Sequence, residues 1–113
     1  DRAKRQEWFM GNFRFFDAPV VAFFMLPDGF GLREACDLGM FTQTVVLGLT
    51  AQGLGSFPQT ALGFMAKQIR EVIDVPEHHK LMFGLSFGYP VDTPINDVVT
   101  DRTDLESAVT FHS

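Results

Sequence analysis

At the start of the chain, hydrophobic and polar residues recur with the spacing of a helix. Residues 1–15 mix charged and apolar side chains, and Gly11 with Asn12 forms a plausible stop. The pattern predicts an N-terminal helix with Trp8 and Phe9 on its buried side.

Two continuous apolar runs predict strands. Residues 18–26 are rich in β-branched and aromatic side chains and are followed by Pro27. Residues 80–90 form a second run of the same kind. Runs of this length, without polar alternation, are typical of strands that are covered on both faces.

The segment between these runs predicts two helices. Residues 34–52 are apolar on nearly every side, which is typical of a helix in a core or a subunit interface. Gly39 and Gly48 each lower helix propensity by about 1 kcal/mol against Ala, which is tolerable where another backbone comes close. Gly53 suits the C-terminal cap. Residues 65–78 predict an amphipathic helix that ends at Pro76.

The remaining residues, 91–113, are polar and contain Pro94 and only short apolar groups. They predict an extended arm that lies on another surface. With 113 residues, 46% of them hydrophobic, the chain is expected to form one folded domain at most.

Charge and cysteine content exclude several classes of function. The net charge of −5 argues against a general electrostatic grip on nucleic acid or on an anionic membrane. The apolar run 18–26 is much shorter than the roughly 20 residues that a membrane helix needs. Cys36 is the single cysteine, so no intrachain disulfide forms, and a reducing compartment such as the cytoplasm fits.

Residues 53–63 are the one stretch that is unusually rich in backbone-special residues, with three glycines and Pro58. One interpretation is a helix-to-helix connection with a glycine cap. The other is a segment whose backbone approaches a flat ligand, with Pro58 rigidifying a turn that aims the N–H groups of Gln59, Thr60 and Ala61. Sequence mechanics alone favour the first interpretation.

Other candidates for chemistry are weaker. His78 and His79 are adjacent and point in different directions, so a solvated pair is favoured over a metal site. Cys36 is better explained as a small packing residue than as a nucleophile. Arg102 is either solvated, paired with a neighbouring Asp, or a phosphate clamp. No metal site and no catalytic side chain are predicted.

Four segments, in this order, resemble the C-terminal half of the FMN-dependent nitroreductase family: NFRFFDAPVV, DLGMFTQTVVLGLTAQGLGSFPQTAL, IREVIDVPEHHKLMFGLSFGYP and INDVVTDRTDLESAVTF. The resemblance extends from about Asn12 to Phe111. It implies an α+β nitroreductase-like fold, a mixed sheet flanked by helices, whose N-terminal part is missing. Residues 1–113 would then be the C-terminal portion of a single domain, with 91–113 as its arm.

The resemblance also implies a cofactor site. In that family the segment after the long helix runs along the isoalloxazine ring of FMN, and a backbone N–H donates to flavin N5. By position the donor is Thr60 or Ala61, with Pro58 and Gln59 against the ring, and Arg102 binds the FMN phosphate. Many family members carry Glu and Gly at the places of Thr60 and Ala61.

The function implied by the resemblance is that of a cytoplasmic oxidoreductase. FMN would take electrons from NAD(P)H and pass them to a nitroaromatic, quinone or similar small molecule. Residues 34–52 would form the core of a homodimer. Because the family's arginine-rich N-terminal segment is not in this chain, the 113 residues alone are expected to bind FMN weakly and to be inactive. The alternative is a non-catalytic flavin-binding or ligand-free remnant.

Overall fold

The computed structural model describes residues 1–112, whose strands form one antiparallel sheet in the order β1-β3-β2. The strands are β1 (Val20–Pro27), β2 (Gly55–Gln59) and β3 (His79–Gly88). Strand β1 pairs with β3 from Val20 opposite Phe87 to Pro27 opposite His79, with an irregularity after Phe24. A mixed sheet was expected, which contains at least one parallel pair of strands. Both strand pairs formed by the described residues are antiparallel.

The described residues also form four α-helices. They are α1 (Arg2–Gly11), α2 (Leu32–Ala51), α3 (Ala66–Val72) and α4 (Leu105–Ala108), with 3-10 segments at Asn12–Asp17, Thr60–Met65 and Pro94–Asp97. Of these helices, α2 packs against β1 and β2. The predicted long helix is confirmed and begins two residues early, at Leu32. Gly53 follows it with a φ of +74°, the left-handed conformation that suits glycine. No helix within residues 1–112 has the length and apolar character needed to cross a membrane.

The interpretation of residues 53–63 as a helix-to-helix connection is wrong. Gly55–Gln59 is a strand, and the chain then enters a 3-10 helix. Pro58 lacks an N–H but lies opposite Leu85 on a strand with one paired side, where proline is tolerated. The predicted helix over 65–78 is also too long, since α3 ends at Val72, well before Pro76.

The core is small and lies on both sides of β3. Leu85 is fully buried, Leu62 is 2% exposed and Phe24 is 8% exposed. The rings of Phe24 and Phe83 stack with centroids 5.1 Å apart. Leu62 packs so closely over Gly84 that a Cβ there would overlap Leu62 Cδ1. The 3-10 helix after β2 is therefore seated directly on β3.

Two burial expectations are wrong within this chain. Trp8 is 57% exposed and Phe9 is 48% exposed, because α1 packs mainly against the 3-10 segment that follows it. The strand over 18–26 is confirmed, but the expected cover on both faces is not complete, because Phe24 is the one buried residue of β1 and its neighbours are half-buried or exposed. Every described residue from 94 to 112 is exposed, so the C-terminal residues add nothing to the core.

Candidate functional site

The residues expected beside a flavin ring, 58–61, lie where β2 ends and the 3-10 helix Thr60–Met65 begins. Pro58 and Thr60 are exposed, Gln59 between them is 2% exposed, and Ala61 is half-buried. The alternation follows from the two-residue period of a strand, which turns successive side chains to opposite faces. The 58–61 segment therefore presents one face to solvent and holds one side chain inside.

Gln59 anchors this segment through a buried network. Its Nε2 donates to the carbonyl oxygen of Asn12 at 3.1 Å and to Asn12 Oδ1 at 3.3 Å. The hydroxyl of Ser86 donates to Gln59 Oε1. Asn12 is 7% and Ser86 2% exposed, so these bonds are shielded from water. The side chain of Gln59 thus faces the interior, and only its backbone is left to contact a ligand on the exposed face of the segment.

A second anchor lies three residues further on. Leu62 is 2% exposed and packs over Gly84. At Gly63 a Cβ would lie 2.7 Å from the carbonyl oxygen of Met82, so this backbone rests against β3. Thr60 and Ala61 are held between Gln59 and Leu62.

The donors of the segment suit the edge of a flat heterocycle. The first N–H groups of a helix have no acceptor within it, and no side chain caps the helix that begins at Thr60. Among the described residues, neither the N–H of Thr60 nor that of Ala61 donates to a side chain or across a turn, so both are candidates to bind an outside acceptor. Residues 58–61 also carry no charged or long flexible side chain on their exposed face. These residues fit the ring of FMN.

Arg102, expected at the FMN phosphate, is exposed on the C-terminal arm. Its guanidinium donates to the carbonyl oxygen of Thr100 at 2.9 Å, to Thr100 Oγ1 at 2.5 Å and to the carbonyl oxygen of Asp101 at 3.2 Å. These hydrogen bonds are local, and none joins Arg102 to the 58–61 segment. The acceptors are uncharged, so the guanidinium charge stays available to an anion.

An aromatic cleft of about 610 Å³ lies beside β2 but does not include the 58–61 segment. Its lining includes the rings of Trp8, Phe16, Phe57, Phe87 and Tyr89. Phe16 contacts Trp8 and Phe57 with ring centroids 5.4 and 5.2 Å away. Sequence reasoning missed this cleft, although the density of aromatic residues near Phe16 was a signal.

The backbone that carries Phe16 is strained. Phe15, Phe16 and Asp17 have φ values of 56°, 48° and 60°, in the region that non-glycine residues avoid. Such conformations cost about 1–3 kcal/mol each and persist where packing enforces them. Here the ring of Phe16 fills the space over Gly11, where a Cβ would lie 2.6 Å from it.

The remaining candidates offer no site. Within residues 1–112, no three His, Cys, Asp or Glu side chains are grouped for a metal ion. Cys36 is exposed on α2. His79 is half-buried, and its Nδ1 has no hydrogen-bond partner among the described residues.

One pKa is clearly shifted, at the start of α2. The N–H of Gly31 donates to Glu34 Oε2 at 2.8 Å, and this hydrogen bond, followed by one from the backbone of Glu34 itself, holds the pKa of that carboxyl below its ordinary value. The interaction caps a helix. This hydrogen bond does not involve residues 58–61.

Comparison with known proteins gives these observations a context. The family model described as the nitroreductase family matches residues 1–89. "Nitroreductase NfnB" of Mycolicibacterium smegmatis is 40% identical over 101 residues, which are 88% of this chain and 43% of that protein. "4-Nitrobenzoate reductase" of Nocardioides sp. is 29% identical over 95% of this chain and 44% of that protein.

A solved structure agrees with the described fold. The crystal structure of the FMN-dependent nitroreductase NfnB from Mycobacterium smegmatis in complex with NADPH has a TM-score of 0.93 and 37% sequence identity. The match covers 98% of this chain and 50% of that one. The chain thus spans about half the length of these relatives. By its sequence and its α+β fold, the chain belongs to the nitroreductase family.

Proposed function

We propose that the protein is an FMN-dependent oxidoreductase of nitroreductase type. It passes reducing equivalents from NAD(P)H through FMN to a nitroaromatic, quinone or similar small molecule. The observation that carries the proposal is the pinned and uncapped backbone at Thr60 and Ala61, at the position where the family binds its flavin ring. The relatives' names, which include an FMN-dependent enzyme crystallised with NADPH and a 4-nitrobenzoate reductase, support it.

Four residues hold the ring in this proposal. Pro58 and the backbone of Gln59 would lie along it, and the N–H of Thr60 or Ala61 would donate to flavin N5. Arg102 holds the phosphate, for which its forked guanidinium is well shaped. Its present hydrogen bonds are to exposed, uncharged acceptors and are replaceable by a phosphate oxygen.

The bound flavin supplies the redox chemistry, and the protein supplies position and polarity. The segment does this with backbone groups. Thr60 and Ala61 carry no side chain that titrates, so the donor at this position keeps its proton throughout the working pH range. No side chain of the chain is assigned an acid or base role.

A homodimer goes with this function. The outer face of α2 carries Met40, which is 64% exposed, and Leu47, which is 61% exposed. An exposed apolar face suits a contact with a second copy. A cytoplasmic location, where reduced nicotinamide cofactors are available, is part of the same proposal.

The experiment starts with the protein purified from the cells that make it, without added flavin. We expect a yellow protein whose flavin absorbance bleaches under argon when NADPH or NADH is added. The absorbance should return when 4-nitrobenzoate or a quinone is supplied. Free FMN at the same concentration is the control for reduction without protein. A colourless protein that stays colourless with added FMN would contradict the proposal and favour a ligand-free remnant.

A further inference from the structure

We propose that Gln59 is a positioning residue, whose buried carboxamide fixes the direction of the N–H groups at Thr60 and Ala61. The proposal rests on the proposed function, because it names these N–H groups as the donors to FMN. It assigns a role to a side chain that does not itself touch the ligand.

Gln59 points inward at 2% exposure, while Pro58 and Thr60 on either side are exposed. An apolar residue would fill an inward position of a strand without needing a partner. A buried amide is unfavourable unless each of its polar atoms is hydrogen-bonded. A glutamine here therefore requires an organised set of partners.

The hydrogen-bond partners of Gln59 lie in distant parts of the sequence. Gln59 Nε2 bonds to Asn12, which is 47 positions away in sequence, and Gln59 Oε1 accepts from Ser86, which is 27 away. Asn12 is itself held, since its Nδ2 donates to the carbonyl oxygen of Phe9 at 3.0 Å. One side chain thus ties the end of β2 to β3 and to the junction after α1.

The N–H groups of Thr60 and Ala61 lie between two buried residues. Gln59 and Leu62 are both 2% exposed, and two residues separate them. A hydrogen bond weakens steeply as its angle departs from linearity. The donors at Thr60 and Ala61 are useful to a rigid ring when their directions are set before it binds, which lowers the ordering cost of binding. The hydrogen bonds of Gln59 fix the backbone before these donors, and the packing of Leu62 fixes the backbone after them.

The test compares two variants with the unmodified chain. Gln59→Leu combined with Ser86→Ala removes both partners of the hydrogen bond between these two side chains and keeps the space filled, while the two Asn12 acceptors lose the donor that Gln59 supplied. Thr42→Val is the matched control, because Thr42 is 6% exposed and its hydroxyl bonds locally to the carbonyl oxygen of Leu38 at 2.8 Å. Circular dichroism establishes that each variant is folded. A variant that fails to fold is replaced by Ser86→Ala alone, which leaves the bonds to Asn12.

Two measurements follow. Amide hydrogen exchange, resolved by residue and without FMN, should become roughly tenfold faster at residues 60–62 in the double variant. The dissociation constant for FMN, from flavin fluorescence, should rise about fivefold or more, in line with a lost or misdirected hydrogen bond. Thr42→Val should change neither quantity.

The outcomes separate this inference from the proposed function. If the unmodified chain binds FMN and the double variant binds it equally, with unchanged exchange at residues 60–62, the positioning role is overturned while the proposed function stands. A variant that is less stable but unchanged in both measurements also overturns it, since the network is then structural alone. If the unmodified chain shows no interaction with FMN up to millimolar concentration, the inference fails, whereas the proposed function is decided separately by the flavin content of the protein purified from cells.

Discussion

Gln59, Ser86 and Asn12 form the most deeply buried polar contacts that connect distant parts of the chain. Each group was hydrogen-bonded to water before folding, so the net stabilisation of each bond is modest. Leaving one partner alone in the interior is much worse, because the group loses water and gains nothing. The network therefore stabilises the fold mainly by being complete.

Replacing Gln59 by Leu should lower the free energy of unfolding by about 1–3 kcal/mol, the cost of unsatisfied polar groups at Ser86 and Asn12. Urea denaturation measures it. Adding Ser86→Ala in the same chain should restore part of the loss, because the hydroxyl without a partner is then gone. A Gln59→Leu variant as stable as the unmodified chain would show that these bonds contribute nothing net.

Glu34 makes the start of α2 sensitive to acid. Its folded pKa is lowered by the N–H of Gly31, so its contribution to stability is fully present above the unfolded pKa and is lost as the pH falls through the folded pKa. Glu34→Ala should therefore lower the Tm at neutral pH and lower it less at about pH 2, because the contribution of the carboxylate is lost as the pH falls through the folded pKa. Thermal unfolding followed at both pH values tests this. An equal decrease at both would mean that the charge is not the cause.

The site was only partly predictable at this scale. Residues 58–61 stand out because Pro58 and short hydroxyl or amide side chains lie in a stretch with three glycines, a pattern that is unusual in a core. The inward direction of Gln59 did not follow from the pattern. It depends on the register of β2 against β3, where Gln59 lies opposite Gly84, and this pairing joins residues far apart in sequence.

Helix α2 shows how one element serves two surfaces. Its inner residues are buried or half-buried against the sheet: Leu38, Thr42, Val45, Val46 and Leu49. Their spacing of three and four places them on one side of the helix. The opposite side carries Met40 and Leu47 in solvent, at seven-residue spacing. This second apolar stripe is the proposed dimer surface.

Leu47→Asp should weaken self-association by roughly 30-fold or more, about 2 kcal/mol, since it places a charge in the middle of the proposed contact. Analytical ultracentrifugation across a concentration series measures the effect. Val72→Asp is the matched control, because Val72 is 84% exposed on α3, away from this stripe. A chain that is monomeric without any substitution, or a Leu47→Asp dimer of unchanged affinity, would contradict the proposal.

Elements with long and consistent patterns were predicted well. The sequences of α2, β1 and β3 are enough to predict these elements, because long apolar runs are compatible with few other secondary structures. Strand β2 was missed because it is five residues long and includes both Gly55 and Pro58, which usually mark loops. Its pairing with β3, a tertiary interaction, decides its conformation.

The molecule as a whole exposes much apolar surface for a chain of this size. Phe64, Tyr89 and Val99 are each more than 80% exposed, and the described residues 94–112 are exposed throughout. The interpretation of residues 91–113 as an arm remains a proposal, supported by this exposure. An arm of this kind lies across a neighbouring surface and contributes little to its own core.

Removing residues 92–113 should leave the Tm of the remaining chain nearly unchanged, since the removed residues bury little apolar area against it. The same truncation should weaken both self-association and FMN binding, because it takes away the proposed strap and Arg102. Differential scanning calorimetry and sedimentation test the two parts. A large loss of thermal stability would place the arm within the core, and unchanged association together with unchanged FMN binding would make it a simple tail.

The affinity for FMN should be low for the 113-residue chain by itself. In the proposed site, Arg102 would make one bidentate contact to the phosphate, worth about 1.5–3 kcal/mol, and the net charge of −5 opposes an anionic ligand. Micromolar binding requires about 8 kcal/mol after the cost of lost translational and rotational freedom. We expect a dissociation constant above micromolar.

The most direct measurement is a titration of the ¹⁵N-labelled chain with FMN, followed by amide chemical shifts, which detect weak binding residue by residue. The account predicts a saturable change, with a dissociation constant above micromolar, whose largest shifts lie at the amides of Thr60 and Ala61. Riboflavin, which lacks the phosphate, should shift the same amides with lower affinity. Absence of any shift at Thr60 and Ala61 up to millimolar FMN, or shifts confined to the aromatic cleft around Phe16, would contradict the account.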